Sequence, residues 1–513
     1  MHFKVVLLNI HLTVIRNSHY VAPMKKAPSG FAPVIQVQKR GPTSLYRQVY
    51  EGYRKAILDG SLRTGQRIPS TRVLALELGI SRMPVLNAYG QLLAEGYFES
   101  RVGSGTVVSR SLPERIRGTK TAPPIRGVNQ AHRRVSKRAL NLSSAQGFYR
   151  LRGMGPFNAS QIAFENFPLP LWNSLVTRHA RNARARSLDY GDPMGLGELR
   201  EAIAEYLRTA RGVRCEAQQV MIVSGSQQGL EITARVLLDP GDRVWMEEPG
   251  YRFARSVFAF NDCTVVPVRV DDEGLNVAAG VKKCANARAV LVTPSHQYPL
   301  GVTMTASRRL QLLDWAESNG SWIIEDDYDS EYRYECPPVT SLQGLDRNSR
   351  VVYIGTFSKV LFPSLRIGYL VVPEDLVDRF LAARFALDIG PATFQQAVLA
   401  DFIAEGHFAR HIRRMRSIYA QSRNALIENL QDQFGSTAEV IGAEAGMHLS
   451  VMLNGIPDQE IAGRAARENL WLAPLSAFYL GKSVRHGFIL GFGSTSVQEM
   501  PAAVRKLRSL VHI

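Results

Sequence analysis

A lysine close to two hydroxyls and an arginine is the feature of this chain best suited to chemistry. The apolar stretch Val351–Ile354 is typical of a β-strand, and it leads into a turn that contains Thr356, Ser358 and Lys359. Arg366 follows seven positions after the lysine. A lysine amine can form a Schiff base with an aldehyde, while hydroxyls and a guanidinium can hold a phosphate. The pattern therefore indicates a site for a phosphorylated aldehyde, although a lone lysine after a serine is more often a solvated surface charge.

Positive charge is concentrated at one end of the chain. The 513 residues carry a formal net charge of +17 at pH 7. Residues 1–150 hold 24 of the 62 basic residues but only 6 of the 45 acidic ones, so the remainder is close to neutral. A basic excess confined to one segment indicates a polyanionic partner, and double-stranded DNA is the first candidate. A basic tail that only improves solubility is the alternative.

Length and composition limit the class of protein. The chain is long enough for two or three domains, and 45% of its residues are hydrophobic, which supports a sizeable core. Its four cysteines form no CxxC pair and are too few for a disulfide framework, so a cytoplasmic location is expected. No apolar run reaches the roughly 18 residues of a membrane helix. We therefore expect no membrane partner.

Composition and hydrophobic periodicity along the chain predict four segments. Residues 1–42 lack periodicity and are predicted to be a disordered leader, within which Met24 is an alternative start. Residues 43–110 form a small domain, and residues 111–150 are predicted to be a basic, flexible linker. Residues 151–513 alternate strands with helices, which predicts an α/β domain with a mostly parallel sheet and a smaller α/β lobe at the end. The strand candidates are Val220–Val223, Arg243–Met246, Thr264–Val268, Ala289–Val292, Trp322–Glu325, Val351–Ile354 and Gly368–Val372.

The small domain has the pattern of a winged helix-turn-helix. Apolar spacing predicts helices at 45–58, 71–78 and 82–95, separated by Gly60 and Gly79, and a glycine-tipped hairpin at 96–108. The first residues of the second helix of such a motif face DNA bases, whereas a helical hairpin without a ligand is the alternative. The residues expected at or near DNA are Arg72, Ser81, Arg82, Met83, Val85, Asn87, Gly103, Ser104 and Gly105.

This region resembles the GntR winged-helix family over about residues 43–109. The resemblance is carried by Ile68–Ala75, Leu78–Arg82, Ala88–Tyr97 and Gly103–Thr106. Met83 and Pro84 replace the threonine that usually follows the Ser-Arg pair in that family. We expect this change to alter base preference without disturbing the fold. The resemblance implies a DNA operator as partner.

The larger domain is similar to fold-type I enzymes of the aminotransferase class, which use pyridoxal 5′-phosphate (PLP). Five motifs occur in family order: Ser224–Gly229, Glu248–Tyr251, Thr293–Gly301, Glu325–Asp329 and the lysine turn. The resemblance implies that PLP is the cofactor and that one group of residues binds its phosphate. That group is Ser226, Gln227, Thr356, Ser358 and Arg366.

The same resemblance implies roles for four more residues. Tyr251 would stack on the pyridine ring, Asp326 would pair with the ring nitrogen, and Tyr328 would bond the phenolic oxygen. Lys359 would form the aldimine. Asp326 is preferred to Asp327 because of its spacing to the lysine and to Tyr328. An acidic run such as Glu325–Asp329 is otherwise typical of a solvated loop or a metal site, but no histidine lies in the run, so no metal is predicted.

Two positions depart from the family pattern, and the role of a third stays open. Tyr298 occupies the place of the family's loop asparagine. Tyr190 either contacts the phosphate across a dimer or is an ordinary turn residue. Ile489 falls where aminotransferases place the arginine that binds a substrate α-carboxylate, and Arg485 is four positions away. The missing arginine argues against ordinary transamination of an α-amino acid.

The order of winged helix, basic linker and aminotransferase-like domain resembles the MocR-type branch of GntR regulators over about residues 43–500. This implies a homodimeric, PLP-binding transcriptional regulator. Its operator binding would respond to PLP, an amine or an amino acid through the aldimine at Lys359. The alternative is an active PLP-dependent aminotransferase with an appended DNA-binding domain.

Overall fold

The computed structural model describes residues 35–101, 105–112, 135–140, 153, 155–183, 189–334, 339–453 and 455–511. They fall in two compact units, Met1–Arg134 and Val135–Ile513. Most of the predicted leader and linker lies outside the described residues, as do Gly103 and Ser104 of the predicted wing. One helical turn, α4 (Lys137–Leu140), is described within the predicted linker. Among the described helices, none has both the length and the apolar character to cross a membrane.

The first unit is a winged helix-turn-helix, as predicted. Its elements are α1 (Leu45–Leu58), α2 (Thr71–Glu77), α3 (Arg82–Ala94) and the antiparallel hairpin of β1 (Phe98–Arg101) and β2 (Gly105–Val108). Three buried rings, from Tyr53, Tyr89 and Phe98, pack edge to face with centroids 5.3–5.4 Å apart. Since they come from α1, α3 and β1, this cluster fixes the third helix against the wing.

An eight-stranded sheet forms the centre of the second unit. Its strands are β3 (Val220–Val223), β4 (Arg243–Glu248), β5 (Thr264–Asp271), β6 (Gly274–Leu275), β7 (Ala289–Val292), β8 (Trp322–Asp327), β9 (Val351–Thr356) and β10 (Gly368–Val371). The spatial order is β3-β10-β9-β8-β7-β4-β5-β6. The five neighbours β9, β8, β7, β4 and β5 are parallel, which confirms the predicted mostly parallel sheet.

Helices cover both faces of this sheet. In β3, Ile222 belongs to one hydrophobic cluster and Met221 and Val223 belong to another. Both faces of a parallel sheet are normally buried, and continuous apolar strands such as β7 reflect this. The helices preceding the small lobe are α5 (Leu169–Asn182), α6 (Gly197–Arg211), α7 (Ser226–Leu237), α8 (Arg252–Phe260), α9 (Val277–Cys284), α10 (Ala306–Asn319), α11 (Leu342–Leu345), α12 (Val377–Asp388) and α13 (Phe394–Ala404).

The smaller C-terminal lobe is also α/β, as predicted. Its antiparallel sheet has the order β11-β12-β14-β13. The strands are β11 (Glu439–Ile441), β12 (His448–Met452), β13 (Ala473–Pro474) and β14 (Gly487–Gly491), and the helices are α14 (His407–Phe434), α15 (Asp458–Arg467) and α16 (Met500–Leu510). The carboxyl ends of the parallel strands and residues of this small lobe line a common cavity.

Candidate cofactor site and DNA-binding surface

One cavity in the second unit gathers all nine residues that the sequence predicts to bind a cofactor. Its volume is about 1110 Å³. The nine residues are Ser226, Gln227, Tyr251, Asp326, Tyr328, Thr356, Ser358, Lys359 and Arg366. Most follow the carboxyl ends of strands, where parallel sheets bring the ends of successive strands together. A cavity of this size can hold a cofactor and a small ligand beside it.

One end of the cavity is suited to a phosphate. Ser226 opens α7, and Gly225 before it has a φ of +91°, which favours glycine. A Cβ atom at Gly225 would lie 3.2 Å from the guanidinium nitrogens of Arg366, so glycine also allows this close approach. The Arg366 guanidinium donates to the Ser224 carbonyl. A helix N-terminus beside an arginine is a favourable site for an anion.

The hydroxyls and the aromatic ring beside this end are held by hydrogen bonds. Thr356 Oγ1 and Ser358 Oγ lie 3.0 Å apart, and the Ser358 amide donates to Thr356 Oγ1. Gln227 Nε2 donates to the Tyr251 hydroxyl over 3.0 Å. Burial raises the pKa of Tyr251 to about 12, so its phenol is neutral at pH 7. Burial thus keeps the Tyr251 phenol neutral, and the hydrogen bond from Gln227 holds the ring at the cavity wall.

The two neighbouring aspartates have different surroundings. They end β8, and successive strand side chains point to opposite faces. Asp327 is paired with Arg211, whose Nη2 lies 2.6 Å from Asp327 Oδ2, and it accepts from the Tyr353 hydroxyl over 2.6 Å. Asp326 lines the cavity, and its buried Oδ1 has no hydrogen-bond partner among the described residues. Only Asp326 is therefore available to a ligand.

We expect Asp326→Asn to stabilise the cofactor-free protein, and increasingly so as the pH rises. Burial, followed by the negative charges of Asp327, Glu247 and Asp329, raises the pKa of Asp326 to about 7. Between about pH 4, where an unfolded aspartate ionises, and about pH 7, the folded protein retains a proton that the unfolded chain has lost. Stability from this group therefore falls as pH rises through that window, and asparagine removes the loss of up to a few kcal/mol.

Chemical denaturation of both proteins at pH 5 and pH 8 measures this effect. Asp327→Asn is the matched control, because it breaks the buried pair with Arg211 and should destabilise the protein instead. An Asp326→Asn variant that is no more stable than the parent at pH 8 would show that the Asp326 carboxylate is already compensated.

Lys359 lies close to backbone carbonyls from a distant part of the chain. Its Nζ donates to the carbonyl oxygens of Ala159 and Ser160 over 3.4 and 3.3 Å. Burial lowers the pKa of the Lys359 amine, an effect that the negative charge of Asp329 partly opposes. A lowered pKa increases the fraction of unprotonated amine, the form that attacks an aldehyde.

Tyr328 and Tyr298 line the cavity and pack edge to face on each other. The Tyr328 hydroxyl donates to the His296 carbonyl over 3.0 Å, so in this structure its proton is directed to the protein. Tyr298 packs edge to face on Tyr251, Tyr328 and Phe478. It stands in the place of the family's asparagine and lines the cavity.

Several cavity residues were missed by sequence reasoning. They come from the stretch before α5, from α8 and from the small lobe, and include Asn158, Ala159, Ser160, Arg252, Met447 and His448. None belongs to a motif with a chemical pattern of its own. Only the fold brings them to the cavity.

His296, Asp329 and His448 form a buried polar cluster, and Asp329 and His448 line the cavity. Their donor atoms lie within 4.8 Å of one another, a spacing that could hold a metal ion. All three residues already have protein partners. Asp329 accepts from His296 Nδ1 and from the Met447 amide, and His448 Nε2 donates to the Pro299 carbonyl. These contacts account for the cluster as a hydrogen-bonded unit.

Position 489 lies in an apolar environment. Ile489 is fully buried in β14 and packs with Leu300, Met452 and Phe478. Arg485 is exposed and is not among the residues that line the cavity, so in this structure it does not replace the missing arginine.

The first unit exposes most of the residues predicted to face DNA. Arg72, Ser81, Arg82 and Asn87 are exposed, and Met83 is 61% exposed, which is unusual for so apolar a side chain. Arg82 Nε donates to Thr71 Oγ1 over 3.2 Å, which orients its side chain across α2. Gly105 in the wing has a φ of +82°.

The expectation for Val85 was wrong. Its side chain is fully buried in the core of the first unit, and it therefore cannot contact DNA. The physical reason is the helical period: Val85 lies three positions before the buried Ala88 on the inner face of α3.

Comparison with known families divides the chain in the same way. The model of the gntR family of bacterial regulatory proteins matches residues 45–108, and that of aminotransferase class I and II matches residues 157–491. The chain is 38% identical to the probable rhizopine catabolism regulatory protein MocR of Rhizobium meliloti, over 93% of the chain and 95% of that protein. It is 32% identical to the HTH-type pyridoxine biosynthesis transcriptional regulator PdxR of Corynebacterium glutamicum, over 90% and 94%.

Solved structures resemble the second unit. The kynurenine aminotransferase of Pyrococcus horikoshii, solved with PMP and substrates, aligns with a TM-score of 0.69 and 28% identity. The alignment covers 74% of this chain and 98% of that enzyme. The fold of the second unit is therefore that of PLP-dependent aminotransferases.

Proposed function

The chain belongs to the MocR-type branch of the GntR family, DNA-binding transcriptional regulators with an aminotransferase-like domain, and from this premise we propose that Lys359 binds PLP covalently. We further propose that operator binding responds to PLP, to an amine or to an amino acid at this site. The observation that carries the proposal is the buried, unpartnered Asp326 Oδ1 in a cavity shared with Lys359 and an anion-binding end.

The residues present fit this cofactor. Ser226, Thr356, Ser358 and Arg366 would hold its phosphate, and Tyr251 would cover its ring. Asp326 would accept a hydrogen bond from the protonated ring nitrogen, which would supply the missing partner of Oδ1. When bound, PLP supplies an aldehyde that reacts with amines and a ring that withdraws electrons.

A homodimer is part of the proposal. Two loops of the second unit lie against each other, since a Cβ on Gly390 would be 3.1 Å from Pro193 Cα. Together with the adjoining helices they expose apolar side chains: Tyr190 (83% exposed), Phe385 (60%), Ile389 (41%) and Phe394 (42%). Such a patch is typical of a protein interface, and a second copy of this chain is the partner that we propose. Tyr190 would then lie where it can reach the partner's phosphate site.

A footprint on the DNA beside the gene tests the proposal. Purified protein should protect a defined site, and the protection should change when PLP, or PLP with an amine, is added. Turnover of amino and keto acids at ordinary enzyme rates, roughly 1–10³ per second, without such protection would favour the aminotransferase alternative.

For the DNA-binding domain, we expect Arg82→Ala to weaken operator binding by roughly 1–3 kcal/mol, because an exposed arginine at the start of the recognition helix is placed to contact a base. Fluorescence anisotropy with a labelled operator measures the loss. Arg63→Ala, at an exposed arginine between α1 and α2, is the control and should have a smaller effect. Unchanged affinity in Arg82→Ala would remove that residue from the interface.

A further inference from the structure

A buried histidine on the small-lobe wall of the cavity has a hydrogen-bond acceptor with no partner among the described residues. His448 on β12 lines the cavity and is 2% exposed. Its Nε2 lies 3.2 Å from the Pro299 carbonyl oxygen, which can only accept. Nε2 therefore carries the proton, and Nδ1 of a neutral imidazole is a hydrogen-bond acceptor.

His448 is neutral at pH 7. Burial, together with the neighbouring His296, lowers the pKa of His448 well below its usual value. The rings of the two histidines are 4.6 Å apart, and Tyr298 lies 5.2 Å away on another side. A neutral acceptor attracts a hydroxyl or an N–H group, and its lone pair repels a carboxylate.

Among the described residues, the small-lobe wall that carries His448 contributes no positive charge to the cavity. Ile489 is paired with Ser450 in the small sheet, and Ser450 lies on the same face of β12 as His448. Ile489, where the family's arginine would fall, is a buried aliphatic residue and is not among the described residues that line the cavity. Asp329 also lines the cavity and adds a negative charge there. An ammonium group is favoured in such surroundings, and a carboxylate beside it is not.

Among the described residues, two arginines line the cavity. Arg366 lies at the phosphate end and donates to Ser224. Arg252 begins α8, and its guanidinium lies 5.1 Å and 5.9 Å from the ring centres of Phe253 and Phe478. Phe253 and Phe478 also line the cavity, so Arg252 is a cation at the cavity whose contribution to carboxylate binding must be tested directly.

We propose that the effector is a primary amine in which the carbon next to the amine-bearing carbon carries a hydroxyl instead of being a carboxylate. His448 Nδ1 would accept a hydrogen bond from that hydroxyl. The inference rests on the proposed function, since it assumes that an amine reaches Lys359 and the cofactor site. It narrows the effector class from any amine or amino acid to amino alcohols.

Three amines with nearly the same skeleton test the inference: 2-aminopropan-1-ol, alanine and isopropylamine. Each is titrated into the full-length, PLP-loaded protein, and both the absorption of the bound cofactor and the operator affinity are followed. We expect half-saturation by the amino alcohol at a concentration about tenfold lower than for isopropylamine, the effect of one hydrogen bond of about 1.4 kcal/mol. Alanine should be the weakest of the three.

Variants at two positions separate recognition from structure. His448→Phe should make 2-aminopropan-1-ol and isopropylamine equivalent, and His448→Gln, which retains an acceptor, should restore part of the difference. Ser450→Ala is the matched control, because Ser450 also donates to the Pro299 carbonyl but does not line the cavity. It should keep the parent ranking.

Two results would overturn the inference. One is an unchanged preference for the amino alcohol in His448→Phe. The other is that alanine binds most tightly of the three. If Arg252→Met then abolishes alanine binding, Arg252 is identified as a carboxylate site. Failure of the proposed function looks different, because the protein would then show no cofactor absorption or no change in operator affinity with any amine.

Discussion

Replacement of Lys359 by alanine should abolish the visible absorption of the lysine-bound cofactor. Among the described residues, Lys359 is the lysine that lines the cavity, which it shares with Asp326 and the phosphate end. Without its amine, PLP could bind only noncovalently through the phosphate contacts. We therefore expect a complete loss of the band and of borohydride-reducible label, not a partial one.

The control for this experiment is Lys506→Ala, at a lysine on α16 that lies near Glu468 and outside the cavity. It should retain the parent spectrum and the parent label. Digestion and mass spectrometry of the reduced protein locate the label. Label on a lysine other than Lys359 would contradict the assignment.

Operator binding should depend steeply on salt. The excess positive charge lies within residues 1–150, and each phosphate neutralised by lysine or arginine releases counterions. If about six phosphates are contacted, affinity should fall roughly a thousandfold between about 50 and 200 mM salt. Anisotropy titrations at several salt concentrations give the slope directly.

A fragment of about residues 40–115 provides the comparison. It should keep weak, salt-dependent binding and lose much of the specificity that a dimer gains from two half-sites. A slope near zero for the full-length protein, or a fragment as specific as the whole chain, would contradict this account of DNA recognition.

Each motif predicted for the cofactor site lies where a strand ends. Strand-to-loop transitions such as the one before Lys359 are visible in the sequence, and parallel strands bring their carboxyl ends to a common edge. All nine predicted residues accordingly line one cavity. Their individual roles toward PLP stay predictions.

The sequence could not predict which side chains the rest of the chain would bring to the cavity. Ala159 and His448 lie 200 and 89 positions from Lys359 and belong to no motif, so only tertiary packing identifies them. The sequence also could not predict which way these side chains point. The extension of β8 to Asp327 directs two adjacent aspartates to opposite faces, and the inner face of α3 buries Val85.

The most direct test of the central claim is the affinity of the full-length protein for its operator with and without PLP, measured in parallel on the parent protein and on Lys359→Ala. Coupling between two sites in one protein is typically worth about 1–3 kcal/mol. We expect PLP, alone or with an amine effector, to change the parent's affinity by roughly 5–150-fold and to leave that of Lys359→Ala unchanged. Equal responses of the two proteins, or no response in the parent, would show that DNA binding is not governed by chemistry at Lys359.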